Sequence, residues 1–446
     1  MRPHTLFIDR GSIEAEVRAL SVPIRFEPDI RASLTPLAIG SRTIGNRFAI
    51  HPMEGCDGTL DGAPDELTFR RWERFGAGGG KLLWGEAVAI EPDARANTRQ
   101  LLLSENNLSA LERMIAAART AHGPASDFLI GLQLTHSGRW SHPTPVVMFH
   151  DPALRNNGRI ITDAELDRLQ DRYVEATLRA RDLGVDFIDI KQCHRYLLSE
   201  MLAARTRPGK YGGSLENRTR FVREVLARLS ADAPGLILGS RMNFFDGVPY
   251  RKNAETGIGE PVPGATENYL DLEEAVQALA MFREAGLQLV NVTAGCPYFN
   301  PHVGRPADKE PPDGYGAPEP GLVGVARHFG LAEAAQRACP DIAVVGTGYS
   351  YLRQYAVEAG EANLRDGRVS IVGLGRGAIA YPDFARDVQM DKKKVCITVS
   401  YCTTLMRAKG NDLGQYAAGC VPRDPVYARL LQEIQKNAKR DAASKA

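Results

Sequence analysis

Short apolar runs alternate with amphipathic segments along most of the chain. The runs are rich in Val, Ile and Leu, whereas the apolar residues of the intervening segments recur at helical spacing. This alternation is typical of βα units that build a parallel sheet. The predicted strands cover residues 46–51, 81–90, 128–135, 185–190, 235–242, 287–292, 342–346 and 369–374. Eight βα units close one barrel, so the sequence predicts an α/β protein with a (β/α)8 TIM barrel.

The segments between these runs are predicted to be the helices of the barrel. Thr162 and Glu165 match a capping box, which predicts that a helix begins there. The predicted helices cover about residues 65–76, 105–122, 162–183, 214–231, 269–285, 323–338, 350–364 and 376–388. Residues 1–389 are therefore predicted to form the barrel with an N-terminal arm, and residues 390–446 to form a C-terminal cysteine-containing extension.

Two long segments without periodicity interrupt the alternation. Residues 243–268 and 295–320 are rich in Gly, Pro and Asn. Because they follow the fifth and sixth predicted strands, both would lie over the C-terminal face of the barrel. Long loops in compact domains are commonly lids or binding loops, and the alternative is surface padding without a function.

The composition is that of an ordinary globular protein. Hydrophobic residues make up 43% and charged residues 24% of the 446 positions, and the formal net charge is +1. This balance indicates neither a nucleic-acid partner nor an anionic membrane surface. The apolar runs are far shorter than the roughly 18 residues that span a bilayer, and the N-terminal segment lacks the apolar region of a signal peptide. We therefore expect a cytoplasmic protein that acts on a small molecule, and the sequence leaves a homo-oligomer open.

Three proton-handling side chains follow the fourth predicted strand. Lys191, His194 and Tyr196 come directly after the apolar run that ends at Ile190. Barrels of this class carry their catalytic residues at the C-terminal ends of the strands. The sequence therefore predicts that these three residues are catalytic.

Glycines follow the last two predicted strands. Gly346, Thr347 and Gly348 come after the seventh strand, and Gly375 and Arg376 come after the eighth. Glycines let backbone N–H groups approach phosphate oxygens, and an arginine can bind phosphate through two parallel hydrogen bonds. Phosphate sites of barrels commonly lie after these two strands. We predict a cofactor phosphate here, and the alternative is two helix-start turns without a ligand.

The segment from Tyr211 to Phe221 carries a resemblance to a known family. It reads Tyr-Gly-Gly-Ser-Leu-Glu-Asn-Arg-Thr-Arg-Phe and follows a Tyr-Leu pair and an Arg-Thr pair. This pattern resembles the old yellow enzyme family of FMN-dependent oxidoreductases, and the resemblance covers roughly residues 40–425. It implies an NAD(P)H:flavin oxidoreductase of the ene-reductase type, which binds FMN, takes electrons from NADH or NADPH and reduces an activated C=C bond.

The resemblance also implies which residues surround the flavin ring. Pro52 and Met53 match a pair that lies against the ring, and Ala87 matches a small residue that leaves room for it. Gln133 matches a residue that bonds the pyrimidine edge. Arg241 matches a cation that stabilises the anionic reduced flavin.

Glu54 departs from the family pattern, which has Thr or Cys close to flavin O4. An ionised carboxylate at this position would lower the potential of the flavin. We hypothesise that the cation of Lys191 neutralises Glu54. The alternative is that Glu54 turns to solvent.

The substrate end departs from the family at one position. The family holds the substrate carbonyl oxygen with two residues three positions apart, and a Tyr two positions later protonates the α-carbon after hydride reaches the β-carbon. His194 and Tyr196 match this pattern, whereas Lys191 replaces the usual His. Since an ammonium is a stronger and less directional donor than imidazole, we hypothesise a carboxylate or thioester substrate beside simple unsaturated carbonyl compounds.

Three other functions remain as alternatives. Flavin-dependent amine dehydrogenases or demethylases, which resemble trimethylamine dehydrogenase, carry an aromatic residue at the Lys191 position, and a lysine would repel a cationic amine. A flavin-free Schiff-base lyase would use Lys191 as its nucleophile but would leave Gln133 and Arg241 without a role. Tyr196 beside His194 argues against a non-catalytic flavin-binding or ligand-binding protein.

Three cysteines lie in the predicted extension, before a terminal amphipathic helix near residues 425–438. Relatives that resemble 2,4-dienoyl-CoA reductase bind a [4Fe–4S] cluster through four cysteines there. Cys396, Cys402 and Cys420 remain in this chain, whereas Val399 stands at the second ligand position. Because a cluster normally takes four thiolates, we expect free thiols and no metal, with a cluster or a zinc site as the alternatives. Electrons would then come directly from NADH or NADPH, and an external donor is left open.

Overall fold

The computed structural model of the chain describes residues 7–154, 158–264, 269–408 and 410–443. Its centre is a closed barrel of eight parallel strands. The strands are Phe48–Ile50 (β1), Leu82–Ala89 (β2), Leu129–Thr135 (β3), Phe187–Ile190 (β4), Ile237–Asn243 (β5), Leu289–Thr293 (β6), Ala343–Gly346 (β7) and Ile371–Leu374 (β8). They pair in chain order, and β8 closes the barrel by pairing with β1. The predicted (β/α)8 barrel is confirmed.

The lower half of the barrel is filled with side chains. The rings of Trp84 and Phe187 meet edge to face, with centroids 5.0 Å apart. An antiparallel hairpin of Leu37–Ile39 and Arg42–Ile44 adds two isoleucines to this inner cluster. The N-terminal arm thus closes the bottom of the barrel, and the open end is at the C-terminal ends of the strands.

Helices surround the barrel, and side chains cap several of their N-termini. The helices are Arg10–Ala19 (α1), Glu66–Ala77 (α2), Leu108–His122 (α3), Asp163–Asp182 (α4), Leu197–Leu202 (α5), Leu215–Asp232 (α6), Leu272–Glu284 (α7), Pro301–Gly304 (α8), Gly321–Ala338 (α9), Ala356–Arg365 (α10), Arg376–Ala380 (α11), Tyr401–Arg407 (α12) and Pro425–Ala443 (α13). The capping box predicted at Thr162 is present, because the backbone N–H of Thr162 donates to Glu165 Oε2 at 2.8 Å and the N–H of Glu165 donates back at 3.3 Å.

Two helices differ from their predicted lengths. The helix predicted for residues 376–388 ends at Ala380, and Pro382 begins a separate 3-10 turn. Proline has no N–H and restricts the residue before it, so the helix cannot continue. The helix predicted for residues 350–364 begins later, because Arg353 has a φ of 54° and interrupts the preceding turn.

Loops and the C-terminal extension cover the open end of the barrel. The loop after β5 carries a ribbon of Tyr250–Lys252 and Gly259–Pro261, and the loop after β6 carries α8. The extension is fixed to α2 at Asp424, which accepts hydrogen bonds from Arg70 at 2.8 Å and Arg74 at 2.9 Å. The domain boundary at residue 389 stays a prediction. No described helix is both long enough and apolar enough to cross a lipid bilayer.

Candidate active site

A cavity of about 710 Å³ lies at the C-terminal ends of the strands. The predicted residues that line it are Pro52, Met53, Glu54, Ala87, Gln133, Lys191, His194, Tyr196, Arg241, Thr347, Gly348, Gly375 and Arg376. Gly346 is the exception, since it ends β7 and does not line the cavity. A Cβ at this position would lie 2.8 Å from Cγ1 of Val369, so packing accounts for this glycine.

A buried carboxylate organises the strand ends. Asp189, on β4, accepts hydrogen bonds from Nε1 of Trp84 at 2.6 Å, Nε2 of Gln133 at 2.5 Å and the backbone N–H of Arg241 at 2.7 Å. Burial raises the pKa of Asp189, against the effect of these donors. The network fixes the side chain of Gln133 and the backbone of Arg241 at the cavity floor.

The guanidinium of Arg241 has few partners of its own. Its Nε has no hydrogen-bond partner among the described residues, and its two Nη atoms lie 3.5 Å from Pro52 O and Thr293 Oγ1. Burial lowers the pKa of Arg241. A buried, weakly satisfied cation facing a cavity fits the negatively charged edge of a ligand.

The glycines and arginine after β7 and β8 form a second cationic region. Gly348 has a φ of 103°, in the left-handed region that glycine tolerates best. A Cβ at Gly375 would lie 3.0 Å from Sδ of Met53. Arg376 donates from Nη2 to Pro306 O at 2.5 Å, whereas its buried Nη1 has no partner in the described part of the chain. A guanidinium with one Nη group left without a partner, beside glycines that allow a close approach, fits a phosphate.

The cavity is rich in positive charge. The cationic residues that line it are Lys191, Arg241, Arg305, Arg376 and Arg407. The carboxylates are Glu54 and Asp313, and Asp313 is paired with Arg407 at 3.0 Å. Burial and the neighbouring charge of Arg376 lower the pKa of Arg305 to about 10. The excess of cationic over acidic side chains in the cavity favours a ligand with several negative charges.

The three predicted catalytic residues lie together at one side of the cavity. The ammonium of Lys191 lies 3.5 Å from the ring centroid of Tyr196, and burial lowers the pKa of this lysine. His194 has a φ of 62° and donates its backbone N–H to Asn243 Oδ1 at 3.2 Å. Burial keeps the pKa of His194 well below its usual value, so its ring is neutral near pH 7.

The backbone around His194 is strained. Arg195, the next residue, also has a positive φ, of 58°. Its fully buried guanidinium lies 3.4 Å from Asp246 and 3.7 Å from Asp151. These ion pairs hold the turn in a conformation that costs free energy, which is a frequent feature of active sites.

Tyr196 has an aromatic partner that the sequence did not reveal. Its hydroxyl lies 3.1 Å from the hydroxyl of Tyr298, in the loop after β6. The ring of Tyr298 stacks on Trp140, in the loop after β3, with centroids 4.0 Å apart. The long loop at residues 295–320 was predicted to be functional, but no pattern in it distinguishes Tyr298.

The structure changes the hypothesis for Glu54. Burial raises the pKa of Glu54 to about 7, and the charge of Lys191 offsets this only in part. Oε1 of Glu54 accepts a hydrogen bond from Nδ2 of Asn97 at 3.3 Å. Across the described residues, Lys191 forms no ion pair with Glu54, although its charge is the largest influence that favours the ionised form of this carboxyl.

His51 is a further residue that the sequence analysis missed. Its Nδ1 lies 2.9 Å from Nδ2 of Asn291, on β6, and its Nε2 lies 3.1 Å from Oγ1 of Thr347. Burial keeps its pKa well below the usual value. The imidazole therefore connects the end of β1 to the glycine turn after β7.

The C-terminal extension also contributes to the cavity. The residues concerned are Cys402, Thr403, Met406, Arg407, Gln415 and Ala418. Cys396, Cys402 and Cys420 line a second cavity of about 30 Å³ beside Arg376. Within the described ranges, no three or more His, Cys, Asp or Glu residues are arranged to hold a metal ion.

The fold and site define a barrel with a cofactor-sized, cationic cavity at its strand ends. Residues 34–258, half of the chain, match the NADH:flavin oxidoreductase / NADH oxidase family. The chain belongs to this family.

Individual relatives are distant. The NADH oxidase of Thermoanaerobacter brockii is 26% identical over 374 residues, which cover 81% of this chain and 51% of that protein. The chain thus spans about half the length of this relative. The NADPH dehydrogenase of Bacillus subtilis (strain 168) is 24% identical over 371 residues, or 80% of this chain and 94% of that protein.

Solved structures share the fold. A 2-naphthoyl-CoA reductase in complex with 2-naphthoyl-CoA superposes with a TM-score of 0.69 at 18% identity, covering 90% of this chain and 58% of that one. A morphinone reductase superposes with a TM-score of 0.57 at 21% identity, covering 80% and 90%. At these identities the likeness concerns the fold alone.

Proposed function

We propose that the protein is an FMN-dependent oxidoreductase that uses NADH or NADPH to reduce an activated C=C bond. Its substrate class would be α,β-unsaturated carbonyl, carboxylate or thioester compounds. The observation that carries this proposal is the common cavity of Arg241, His194 and Tyr196, in which a weakly hydrogen-bonded cation shares the space with a proton donor and a neutral imidazole.

The charges of the cavity support FMN as the flavin. A phosphate dianion suits the unpaired Nη1 of Arg376, beside Gly348 and Gly375. The negatively charged pyrimidine edge of a reduced flavin suits Arg241, whose Nε lacks a partner among the described residues. Gln133, held by Asp189, would bond the same edge, and Ala87 would leave space for the ring.

Each catalytic side chain has a distinct task. When bound, the flavin supplies hydride transfer between the nicotinamide and the substrate. The neutral imidazole of His194 keeps one N–H, and this N–H donates a hydrogen bond to the substrate oxygen. Lys191 adds positive charge where negative charge develops on that oxygen. Tyr196 keeps its proton because burial raises its pKa, and it delivers this proton to the α-carbon.

The other functions have less support. A flavin-free Schiff-base lyase is not favoured, because the chain belongs to a flavin-dependent family. Amine dehydrogenation would bring a cationic amine against Lys191, whose ammonium already lies in a cavity rich in positive charge. Reduction of an activated C=C bond therefore agrees better with the charge of the site than oxidation of an amine does.

A Tyr196→Phe variant tests the proposal. The two half-reactions are followed separately in a stopped-flow instrument, first with NADPH or NADH and then with cyclohexenone. We expect cofactor reduction at the wild-type rate and an alkene step slowed by about 10²–10⁴-fold, because a positioned proton donor is lost. Equal loss in both half-reactions, or no loss in the alkene step, would contradict the proposal.

A further inference from the structure

The proton that Tyr196 delivers must be replaced after each turnover. The side chain of Tyr196 is only 3% exposed, so solvent has little access to it. Within the described chain, its hydroxyl is hydrogen-bonded to the hydroxyl of Tyr298 at 3.1 Å. Lys191 lies over the face of the ring and not beside the hydroxyl. The phenol–phenol contact is therefore the direct route for a proton to Tyr196.

Tyr298 is suited to take protons from solvent. The residue is 43% exposed, and stacking on Trp140 fixes the orientation of its ring. Burial raises the pKa of a phenol because it disfavours the phenolate. Of two phenols that share a hydrogen bond, the more exposed one is therefore the better acid. A proton would pass downhill from Tyr298 to a Tyr196 phenolate.

Two charged side chains face this pair of phenols. Burial and the charge of Glu54 raise the pKa of both Tyr196 and Tyr298, and the ammonium of Lys191 lies against the Tyr196 ring. In the described contacts, neither charged group is hydrogen-bonded to a phenol hydroxyl. They adjust the acidity of the pair without providing a second path for the proton.

We infer that Tyr298 is a proton-relay residue, which restores the proton of Tyr196 from solvent after each alkene reduction. This inference rests on the proposed function. The O–H bond of Tyr298 breaks and its proton forms the new O–H bond of Tyr196. The Tyr298 phenolate then takes a proton from water or from a buffer acid at the cavity mouth. Neither step changes an oxidation state. Tyr298 acts through Tyr196 and not on the substrate.

Proton uptake by a Tyr298→Phe variant tests the inference. The flavin-loaded enzyme is reduced anaerobically and mixed with cyclohexenone in weak buffer that contains a pH-indicator dye. Flavin absorbance reports the alkene step, and the dye reports uptake of one proton from solvent. In the wild type we expect the two signals to coincide. In the variant we expect proton uptake to lag behind flavin oxidation by about tenfold, because the proton-transfer group next to Tyr196 is lost.

A matched control lies in the same loop. Tyr315→Phe also removes one phenol hydroxyl, which is bonded to Nδ1 of His302 at 2.8 Å and does not line the active-site cavity. This control should behave as the wild type does. Coincident signals in Tyr298→Phe would overturn the relay, and so would an equal slowing of flavin oxidation, which indicates a role in substrate placement. If wild-type flavin is not oxidised by the enone at all, the proposed function fails instead.

Discussion

The active-site cavity has two walls of different construction. The strand wall consists of side chains at the ends of barrel strands, namely Ala87, Gln133, Lys191 and Arg241. The loop wall comes from the loop after β6 and from the C-terminal extension, namely Tyr298, Arg305, Met406 and Arg407. The strand wall is buried and fixed by the barrel, whereas the loop wall is partly exposed and rests on local contacts.

The difference lies in what holds each wall. On the strand wall, Asp189 on β4 receives N–H donors from β2, β3 and β5 and so connects three other strands to its own. On the loop wall, Arg407 bonds Asp313 and the carbonyl of Pro297, both at 3.0 Å, and Arg305 bonds Thr403. A fixed wall suits the cofactor and the common chemical step, and an adaptable wall suits the choice of substrate.

The largest effect is expected from Asp189→Asn, which tests the strand wall. The side-chain amide of the variant carries an NH2 group. This group would face N–H donors that now bond to a carboxylate oxygen of Asp189. We expect a loss of about 3 kcal/mol in the free energy of unfolding, together with loss of flavin binding. Urea unfolding and flavin content measure the two effects.

Asp186→Asn is the matched control for this variant, because Asp186 lies at the opposite end of β4. It accepts hydrogen bonds from the N–H of Ile130 at 2.8 Å and from Arg119 at 2.6 Å. This control should lose stability but keep flavin binding, since the bottom of a barrel serves stability. Full flavin binding by Asp189→Asn would contradict the role given to the strand wall.

Arg241→Met separates stability from function on the same wall. It removes a buried cation that lacks a partner at Nε in the described structure. We expect the flavin-free protein to become more stable by about 1–3 kcal/mol, while its affinity for FMN falls. Unfolding with and without FMN measures both changes, and a variant that loses stability without FMN would contradict the account.

Glu54→Gln tests whether the Glu54 carboxyl, which lines the same cavity, changes its protonation state with pH. The folded pKa of Glu54 is about 7, above its ordinary value of 4.5. Between pH 4.5 and about pH 7 the folded protein keeps the Glu54 carboxyl protonated, whereas the unfolded protein has lost this proton. The free energy of unfolding therefore falls as the pH rises through this range. The variant should gain stability relative to the wild type, on the order of 1 kcal/mol after solvent screening, from about pH 5 to about pH 8.

Thermal unfolding across this pH range measures the difference between Glu54→Gln and the wild type. Glu255→Gln, which makes the same change at an exposed side chain in the loop after β5, is the control. A constant difference for Glu54→Gln would show that this carboxyl does not titrate in the window.

The smallest effect is expected on the loop wall, from Arg407→Met. Arg407 is partly exposed and pairs with an exposed carboxylate, so its contribution is limited by solvent screening. We expect KM for the alkene to rise by about threefold with kcat retained. Arg251→Met, which breaks the exposed pair with Glu260 at 2.8 Å, is the control. A large loss of kcat in Arg407→Met would mean that the loop wall also supports the chemical step.

The two walls also differ in how much of each could be predicted from the sequence. Strand ends follow from the apolar pattern, and Lys191 and Arg241 come directly from this pattern and the family resemblance. Tyr298 and Met406 could not be predicted, because their segments reach the cavity only through tertiary packing. The hypothesis for Glu54 and Lys191 was incomplete, since sequence gives neither burial nor the distance between two side chains.

The absorption spectrum of the purified protein tests the central claim most directly. It is recorded before and after anaerobic addition of NADPH or NADH, and again after cyclohexenone is added. We predict flavin bands that bleach with the nucleotide and return with the enone. A protein without flavin bands, even after incubation with FMN, would contradict the account.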